Sequence, residues 1–309
     1  MEIEVIIATR NRRNDLLKTL DSISQQIERP SKIIVVDSSD DELDQSPIKR
    51  KFEQIKVDFK IIRSLPGLTY QRNVGLGQIE KDIIVFLDDD VLLEKDYFKK
   101  IKMVFENNGR IGGATGKIKN AIYKPSLLSK IIRKMFFMAY PGRGEVLPSG
   151  CGCYINYTLD TSFPVQWLSG CNMAYRKEVF NELSFDENLA VYACEDLDFS
   201  YRVSKRFDMV YVPDAALDHC LTPASRLSQK IRSGMYIRGH HYLFRKNIEQ
   251  KFYNKFCHYL SLHGILIQKL ILERSLGSFW EVLKGYFEII FMHNYKMPDP
   301  KVITNPKFK

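Results

Sequence analysis

Carboxylate side chains cluster where apolar runs of the sequence end, in an arrangement suited to metal and phosphate chemistry. Asp37 closes the run Ile-Ile-Val-Val-Asp, and Asp88, Asp89 and Asp90 follow Ile-Ile-Val-Phe-Leu. Three adjacent carboxylates repel one another, so a folded site needs a compensating cation. Mg²⁺ or Mn²⁺ is suitable, because hard cations bind carboxylate oxygens and share the rest of their shell with phosphate. Alternatively, Asp90 caps a helix that begins near Val91, and the helix dipole favours the other two.

Three further groups of polar residues could take part in catalysis or ligand binding. Glu195 and Asp196 stand at the start of a predicted helix, where a carboxylate serves either as a general base or simply as a favourable first-turn residue. His219 ends the run Val-Pro-Asp-Ala-Ala-Leu-Asp-His and is either a ligand or a structural residue. Arg72 lies in the glycine-spaced stretch 67–77, where phosphate contact is one interpretation.

Alternating strands and helices position these groups over the first 115 residues. The β-branched apolar runs at 3–9, 32–37, 59–63 and 83–87 predict buried parallel strands. Residues 14–27 have apolar side chains at helical spacing, with Asn14 as the predicted N-cap. This alternation predicts a doubly wound, mostly parallel α/β sheet, in which ligands bind at the carboxyl ends of the strands. The acidic residues stand at those ends.

Later segments depart from this pattern. Residues 119–165 are interrupted by proline and glycine and contain a basic amphipathic stretch at 127–139. Strands are predicted at 166–175 and 209–213, and a helix at 195–205. From residue 222 onward the pattern is helical, basic and aromatic. We therefore divide the chain into a first domain at 1–225 (with parts 1–118, 119–165 and 166–225) and a helical extension at 226–309.

Composition and charge indicate a globular protein with an anionic partner. Apolar residues make up 45% and charged residues 27% of the 309 residues, which excludes extensive disorder. The chain carries +9, and residues 226–309 alone carry 15 Lys/Arg against five Asp/Glu. A basic tail of this kind is typical of contact with membrane phospholipid, nucleic acid or an anionic polymer.

Targeting signals and cysteine patterns point to the cytoplasm. The N-terminus has no basic segment followed by an apolar one, so no signal peptide is predicted. No window reaches about 18 uninterrupted apolar residues, so no transmembrane helix is predicted. The six cysteines form no CxxC pair, so neither a zinc site nor a redox site is indicated, and reduced thiols are expected.

Six motifs in order resemble the family 2 glycosyltransferases, a large GT-A family. They are Val-Ile-Ile-Ala-Thr-Arg-Asn, Val-Val-Asp-Ser-Ser, Gln-Arg-Asn-Val-Gly-Leu, Phe-Leu-Asp-Asp-Asp, Leu-Ser-Gly-Cys-Asn-Met-Ala-Tyr-Arg-Lys and Cys-Glu-Asp-Leu-Asp-Phe-Ser-Tyr-Arg. The resemblance covers roughly the first 225 residues. It implies the GT-A fold of nucleotide-diphospho-sugar transferases, followed here by the C-terminal helical extension.

The resemblance also implies roles for single residues. It implies a catalytic base, Asp196, with Glu195 orienting the acceptor. It implies that the metal is bound by the DxD pair and a histidine, namely Asp90, Asp88 and His219. The donor-binding residues are Thr9, Arg10, Asp37, Arg72, Asp88 and Asp89. The acceptor-binding residues are Trp167, Gly170, Cys171 and Asn172.

These roles predict a metal-dependent inverting glycosyltransferase. The base takes a proton from an acceptor hydroxyl, and Mn²⁺ or Mg²⁺ stabilises the nucleoside diphosphate that leaves. A single base without a carboxylate nucleophile gives direct displacement with inversion. The expected partners are a nucleotide-sugar donor and a glycan or lipid-linked acceptor in cell-surface polysaccharide synthesis, with no nucleic acid.

Two other functions compete with this hypothesis. A sugar-nucleotide nucleotidyltransferase also uses a doubly wound sheet and acidic metal ligands, but it usually has a glycine-rich loop after the first strand, where this chain has Ala-Thr-Arg-Asn-Arg-Arg. A nucleic-acid-binding module would use the basic tail. The aromatic residues of that tail fall at helical spacing, which is more typical of core or membrane contact.

The basic helices have two interpretations. A basic, aromatic, amphipathic helix that does not span the bilayer is typical of peripheral attachment, here at the inner face of the membrane. Alternatively, residues 127–139 and the tail pack onto the catalytic domain and bury their own apolar stripes.

Overall fold

The structure is a computed structural model that describes residues 1–121, 124–189, 194–222 and 227–291. The strands are β1 (Ile3–Thr9), β2 (Lys32–Asp37), β3 (Asp58–Arg63), β4 (Ile83–Asp88), β5 (Val91–Leu93), β6 (Ile111–Ile118), β7 (Pro141–Gly142), β8 (Tyr154–Ile155), β9 (Phe163–Pro164), β10 (Asn172–Arg176) and β11 (Asp208–His219). The helices are α1 (Arg13–Ser24), α2 (Ser46–Gln54), α3 (Leu68–Leu76), α4 (Tyr97–Asn107), α5 (Leu127–Met135), α6 (Glu195–Ser204), α7 (Gln229–Asn247), α8 (Phe252–Ile267) and α9 (Leu276–Phe291).

One mixed sheet organises the first 219 residues. Its strand order is β3-β2-β1-β4-β10-β6-β11-β5, with β9 paired to β11. Neighbours are parallel from β3 to β4, whereas β10 runs antiparallel to both β4 and β6. The predicted doubly wound, mostly parallel sheet is confirmed, and the antiparallel β10 is an addition to it. Because β10 runs opposite to β4, the residues before it meet the carboxyl end of β4.

Hydrophobic burial on both faces explains why β1, β2 and β4 form the centre. Their apolar side chains are almost fully buried, and alternate residues belong to two separate core clusters. One cluster contains Ile7, Val35 and Val85, and the other contains Ile6 and Phe86. A strand buried on both sides reads as a continuous apolar run, which is the pattern that the sequence showed.

The C-terminal helices pack on the helix that begins at Glu195. Asn247 of α7 donates to Asp198 of α6 at 2.7 Å, and Lys246 contacts the same carboxylate at 3.0 Å. The α8 residue His258 stacks on Phe244 of α7 with ring centroids 4.0 Å apart. The predicted C-terminal helical region is thus confirmed, and it is joined to the preceding part of the chain through α6 and α7.

Several predicted boundaries were wrong. The strand expected at 166–175 is confined to Asn172–Arg176, and the strand expected at 209–213 extends over Asp208–His219. The first helix spans Arg13–Ser24, and Arg12, without a side-chain cap, stands where Asn14 was predicted. None of the helices within the described ranges combines the length and apolarity needed to cross a bilayer.

Candidate active site

The site candidate lies at the carboxyl edge of the sheet, where the strand order changes direction. β1 and β4 are parallel neighbours with Ala8 opposite Asp88, and β2 lies on the other side of β1. A crevice opens at such a point in doubly wound sheets and binds ligands. Asn172, the first residue of β10, pairs with Leu87. The sequence-predicted acidic cluster and the segment 167–171 therefore meet at one edge.

Asp89 and Asp90 are buried and share one arginine. The Arg12 guanidinium contacts Asp89 Oδ1 and Asp90 Oδ2, each at 2.6 Å, and Thr9 donates its hydroxyl to Asp89 Oδ2 at 2.7 Å. Burial raises the pKa of Asp89 to about 7, against the opposing charge of Arg12. Burial also opposes ionisation of Asp90, but hydrogen bonds from His219 and Arg12 lower its pKa below the usual range.

His219 faces the acidic cluster because β11 pairs with β5. This antiparallel pairing sets His219 opposite Val91, and the His219 Nε2 atom lies 3.0 Å from Asp90 Oδ1 and 3.7 Å from Asp88 Oδ2. Burial alone would lower the pKa of His219, but the hydrogen bond with Asp90 raises it to about 11. The ligand atoms of Asp88, Cys171 and His219 lie within 4.8 Å of one another. These three side chains form the metal-site candidate of the described residues.

Arg72 of α3 joins the acidic cluster to the start of α6. Its side chain is 3% exposed and contacts Asp88 Oδ1 at 3.7 Å and Glu195 Oε1 at 3.4 Å. It also donates to the Gly170 carbonyl at 3.0 Å and lies over the Phe185 ring at 5.3 Å. The guanidinium therefore sets the distance between the two carboxylate groups of the site.

Asp196 is held by two backbone donors. The Gly170 N–H donates to its Oδ2 at 3.0 Å, and the Leu197 N–H donates to its Oδ1 at 2.8 Å. Burial raises the pKa of Asp196, and the charge of Arg72 opposes this shift. Burial and the Asp196 charge raise the pKa of Glu195 to about 7. The pair is a fixed, poorly solvated carboxylate site next to the crevice, which suits a general base.

Of the predicted acceptor residues, Gly170 contacts Asp196 directly, and Trp167 lies three residues before it in the chain. The half-buried Trp167 indole donates to the Cys153 carbonyl at 2.8 Å. A Cβ atom on Gly170 would stand 3.2 Å from Arg72 Nη2 and 3.3 Å from Asp196 Oδ2. Both distances are tighter than ordinary van der Waals contact, so glycine lets these two groups approach the backbone here.

The other two predicted acceptor residues are in the sheet. Cys171 is buried, and its thiol belongs to the cluster with His219. Asn172 is fully buried, accepts from the Tyr97 hydroxyl and exchanges hydrogen bonds with the Gly116 backbone at 3.2 and 2.9 Å. The structure gives the Asn172 amide a role in joining β10 to β6, so we leave it out of the proposed acceptor site.

Two predicted donor-binding residues lie at the strand ends: Asp37 is the last residue of β2, and Arg10 follows β1. Asp37 is 1% exposed; its Oδ1 accepts from the Ser39 N–H at 2.8 Å, and its Oδ2 accepts from Arg63 at 2.7 Å. Arg10 lies 3.5 Å from Asp40. The nucleobase of a nucleotide bound at this position would share the Asp37 carboxylate with two hydrogen-bond donors of the protein, Ser39 and Arg63.

Arg12 is the functional residue that sequence reasoning missed. Asp15 and Thr222 also contact its guanidinium, so it joins α1, the acidic cluster and the segment after β11. The pairing of adjacent parallel strands is a sequence signal from which Arg12 could have been predicted. Residues just after β1 must face residues just after β4, and three carboxylates there require a cation.

We expect Arg12→Met to destabilise the protein by about 3 kcal/mol, because it leaves buried carboxylates without their cation. The free energy of unfolding from urea titration measures this. Arg13→Met is the matched control, since Arg13 is the exposed neighbour and surface changes are worth about 0.5 kcal/mol or less. Equal stability of the two variants would contradict the role assigned to Arg12.

Comparison with known proteins finds glycosyltransferases in sequence and structure. The model of the family described as Glycosyl transferase family 2 matches residues 4–184. The uncharacterized glycosyltransferase YwdF of Bacillus subtilis (strain 168) is 24% identical over 225 residues, covering 72% of this chain and 76% of that protein. Glycosyltransferase GlyA of Streptococcus pneumoniae serotype 4 is 32% identical over 104 residues, covering 32% of this chain and 15% of that protein.

Two solved structures share the fold. Residues 1–349 of S. aureus TarS, in complex with UDP-GlcNAc, align with a TM-score of 0.54 and 17% identity, covering 94% of this chain and 82% of that one. The mannosyltransferase PcManGT of Pyrobaculum calidifontis, in complex with GDP-Man and Mn²⁺, aligns with a TM-score of 0.57 and 14% identity, covering 95% and 88%.

Proposed function

Because this chain belongs to glycosyl transferase family 2, we propose that it is a metal-dependent inverting enzyme that moves a sugar from a nucleotide-sugar donor to a hydroxyl acceptor. The fold is GT-A, and the chain is a glycosyltransferase. The observation that carries the finer proposal is the position of Arg72 between Asp88 and Glu195, at 3.7 and 3.4 Å. Arg72 thus joins Asp88, on the proposed diphosphate side, to Glu195, the neighbour of the proposed base Asp196.

The donor is proposed to lie over the ends of β1, β2 and β4. Asp37 and Arg10 would contact the nucleoside, and Thr9 would line the floor of the pocket through its bond to Asp89. Binding of UDP-GlcNAc to TarS and of GDP-Man to PcManGT supports a nucleotide-sugar as the donor class. The sugar and the base differ between those two proteins, so similarity of fold selects neither for this chain.

A divalent cation suits the cluster of Asp88, His219 and Asp90. Carboxylate and imidazole groups bind Mn²⁺, and carboxylates also bind Mg²⁺, whereas the Cys171 thiol is softer than either ion prefers. We therefore assign the ion to Asp88, Asp90 and His219, with Cys171 as a neighbour. The bound ion would neutralise charge that develops on the leaving diphosphate.

The protein groups perform the proton transfer and the positioning. Asp196 accepts the proton of the acceptor hydroxyl while that oxygen forms a bond to the anomeric carbon. The bond from the anomeric carbon to the diphosphate oxygen breaks on the opposite face, so the product is inverted. Glu195 orients the acceptor, and Arg72 holds Glu195 and the Gly170 carbonyl in place. Since Glu195 is paired with Arg72, it is poorly placed to act as a nucleophile.

The acceptor is proposed to be a glycan or a lipid-linked carrier used in cell-surface polysaccharide synthesis. Trp167 stands beside Gly170, in the segment that precedes the base, and its half-buried ring suits stacking on a sugar. We further propose that the enzyme works in the cytoplasm, attached to the inner face of the membrane.

A donor panel tests this function. We expect one nucleotide-sugar among UDP- and GDP-linked hexoses to raise Tm with Mn²⁺ or Mg²⁺ present, and EDTA to abolish the shift. The same donor should be hydrolysed slowly without acceptor, at a rate that also depends on the metal. Absence of both effects with every donor would contradict the proposed reaction. Equal hydrolysis in EDTA would contradict the metal assignment alone.

A further inference from the structure

An uncovered apolar surface runs along α5 and the first turns of α8. Large apolar side chains point outward on both helices, with exposed fractions of 74% for Leu127 and 87% for Phe252. We define the α5–α8 surface by its exposed members Leu127, Leu128, Ile131, Met135, Phe252 and Phe256. Exposing a row of apolar side chains to water is unfavourable, so such a row marks an interaction site.

The two rows lie near each other because the segment that follows α5 packs on α8. The rings of Phe137 and Tyr253 meet edge to face with centroids 6.2 Å apart. Phe136 and Met138 lie against Gly264, where an added Cβ would stand 2.5 Å from each of them. The segment that follows α5 is thus docked on α8, whereas the row of apolar side chains on α5 itself stays exposed.

Basic residues predominate along this surface. Residues 119–144 contain six Lys/Arg and no Asp/Glu. On α8 the contribution is smaller, because Lys251 pairs with Glu249 and Lys269 with Glu273. The excess of positive charge therefore comes mainly from the α5 side of the surface. Lys130 and Lys134 are exposed between the apolar residues of α5, and Lys251 and Lys255 flank the aromatic residues of α8.

We propose that the α5–α8 surface inserts its apolar side chains into an anionic phospholipid leaflet, with the lysines at the headgroups. An interfacial helix combines an apolar face with basic residues in this way. A second copy of the chain would set the same positive surfaces against each other, and a nucleic acid would leave the aliphatic row in water. The proposal deepens the peripheral attachment proposed above, and its test does not use the reaction.

The position of this surface connects it to the reaction. α8 packs on α7 through His258 and Phe244, and α7 is bonded to α6 through Asn247 and Asp198. α6 begins with Glu195 and Asp196. Lipid contact through α8 would therefore orient the acceptor side of the site relative to the leaflet, which suits an acceptor carried on a lipid.

Co-sedimentation with vesicles tests the proposal on the full chain. With vesicles of phosphatidylglycerol and phosphatidylcholine at low salt we expect the protein in the pellet, and with phosphatidylcholine alone in the supernatant. Lys130→Ser with Lys134→Ser should weaken binding by about 30-fold, because each of the two lysines near an anionic leaflet contributes about fivefold. Leu128→Ser with Ile131→Ser should weaken it by more than about 10-fold.

Matched variants on the catalytic half control for charge and hydrophobicity. Lys95→Ser with Lys99→Ser removes the same charge, and Ile27→Ser with Met103→Ser removes similar exposed apolar area. Both controls should bind vesicles within about twofold of the native protein. Unchanged binding by the two α5 variants, or native protein left in the supernatant, would overturn the proposal.

Two further measurements separate the alternatives. If Leu128→Ser with Ile131→Ser converts a self-associated protein to a monomer without changing vesicle binding, the surface joins copies of the chain and the proposal is wrong. Donor hydrolysis without vesicles should be the same in native and α5-variant proteins. Vesicle binding by a protein that hydrolyses no donor would support this surface and contradict the proposed reaction.

Discussion

Asp196→Asn should lower kcat by roughly 10²–10⁴-fold and leave donor affinity nearly unchanged, because a general base acts in the transition state. The structure adds a reason for the loss. Both carboxylate oxygens accept backbone N–H groups, from Gly170 at 3.0 Å and Leu197 at 2.8 Å. Asparagine has a single acceptor oxygen, so its NH₂ group would face one of these donors. Single-turnover kinetics and donor titration measure the two quantities separately.

Asp198→Asn is the matched control for that experiment. Asp198 lies on the same helix and is fully buried, but its partners are Arg202, Lys246 and Asn247. We expect the control to lower the free energy of unfolding while kcat stays near the native value. If Asp196→Asn weakens donor binding and leaves kcat unchanged, Asp196 is a binding residue and the proposed mechanism is wrong.

The parallel half of the sheet could be predicted from sequence because burial on both faces leaves a direct signal. The predicted strands at 3–9 and 32–37 coincide with β1 and β2, and β3 and β4 each differ by one residue. The positions of Asp37 and Asp88 follow from these strands, since side chains after parallel strands meet at one edge.

Strand β6 could not be predicted because its sequence signal is not hydrophobic. β6 has the sequence Ile-Gly-Gly-Ala-Thr-Gly-Lys-Ile, and glycine is depleted in strands. It is glycine-rich because neighbours approach closely: a Cβ on Gly116 would stand 2.0 Å from the Ala215 carbonyl oxygen. Such contacts depend on strand order, which periodicity along the chain does not contain.

It was harder to predict the role of each residue in the site than to predict which residues form the site. Motif order brought Arg72, Asp88, Asp90, Glu195 and Asp196 together as candidates, and the structure places all five at one sheet edge. What the sequence could not supply is which groups pair. Arg72 was expected to face the donor, but it is 3% exposed and its contacts are with protein carboxylates. Pairing depends on side-chain direction, which only the folded chain determines.

Asp90→Asn is expected to weaken metal-dependent donor binding by at least about 100-fold and to remove detectable transfer. The Asp90 carboxylate holds His219 at 3.0 Å and Arg12 at 2.6 Å. An amide keeps the side-chain volume but has no charge and one acceptor oxygen. It therefore binds a cation weakly and orients His219 poorly. Asparagine is preferable to alanine here, because alanine would leave Arg12 and His219 facing an empty space.

Two measurements and one control make this result specific. Titration of Mn²⁺ by electron paramagnetic resonance reports ion binding without turnover, and the thermal shift with donor reports the ternary complex. Asp15→Asn is the control, since Asp15 contacts the same Arg12 at 3.4 Å but is not one of the three side chains to which we assign the ion. This variant should bind Mn²⁺ as the native protein does. If Asp90→Asn also binds Mn²⁺ normally while Asp88→Asn does not, the ion is held by Asp88 and His219, and Asp90 only positions the histidine.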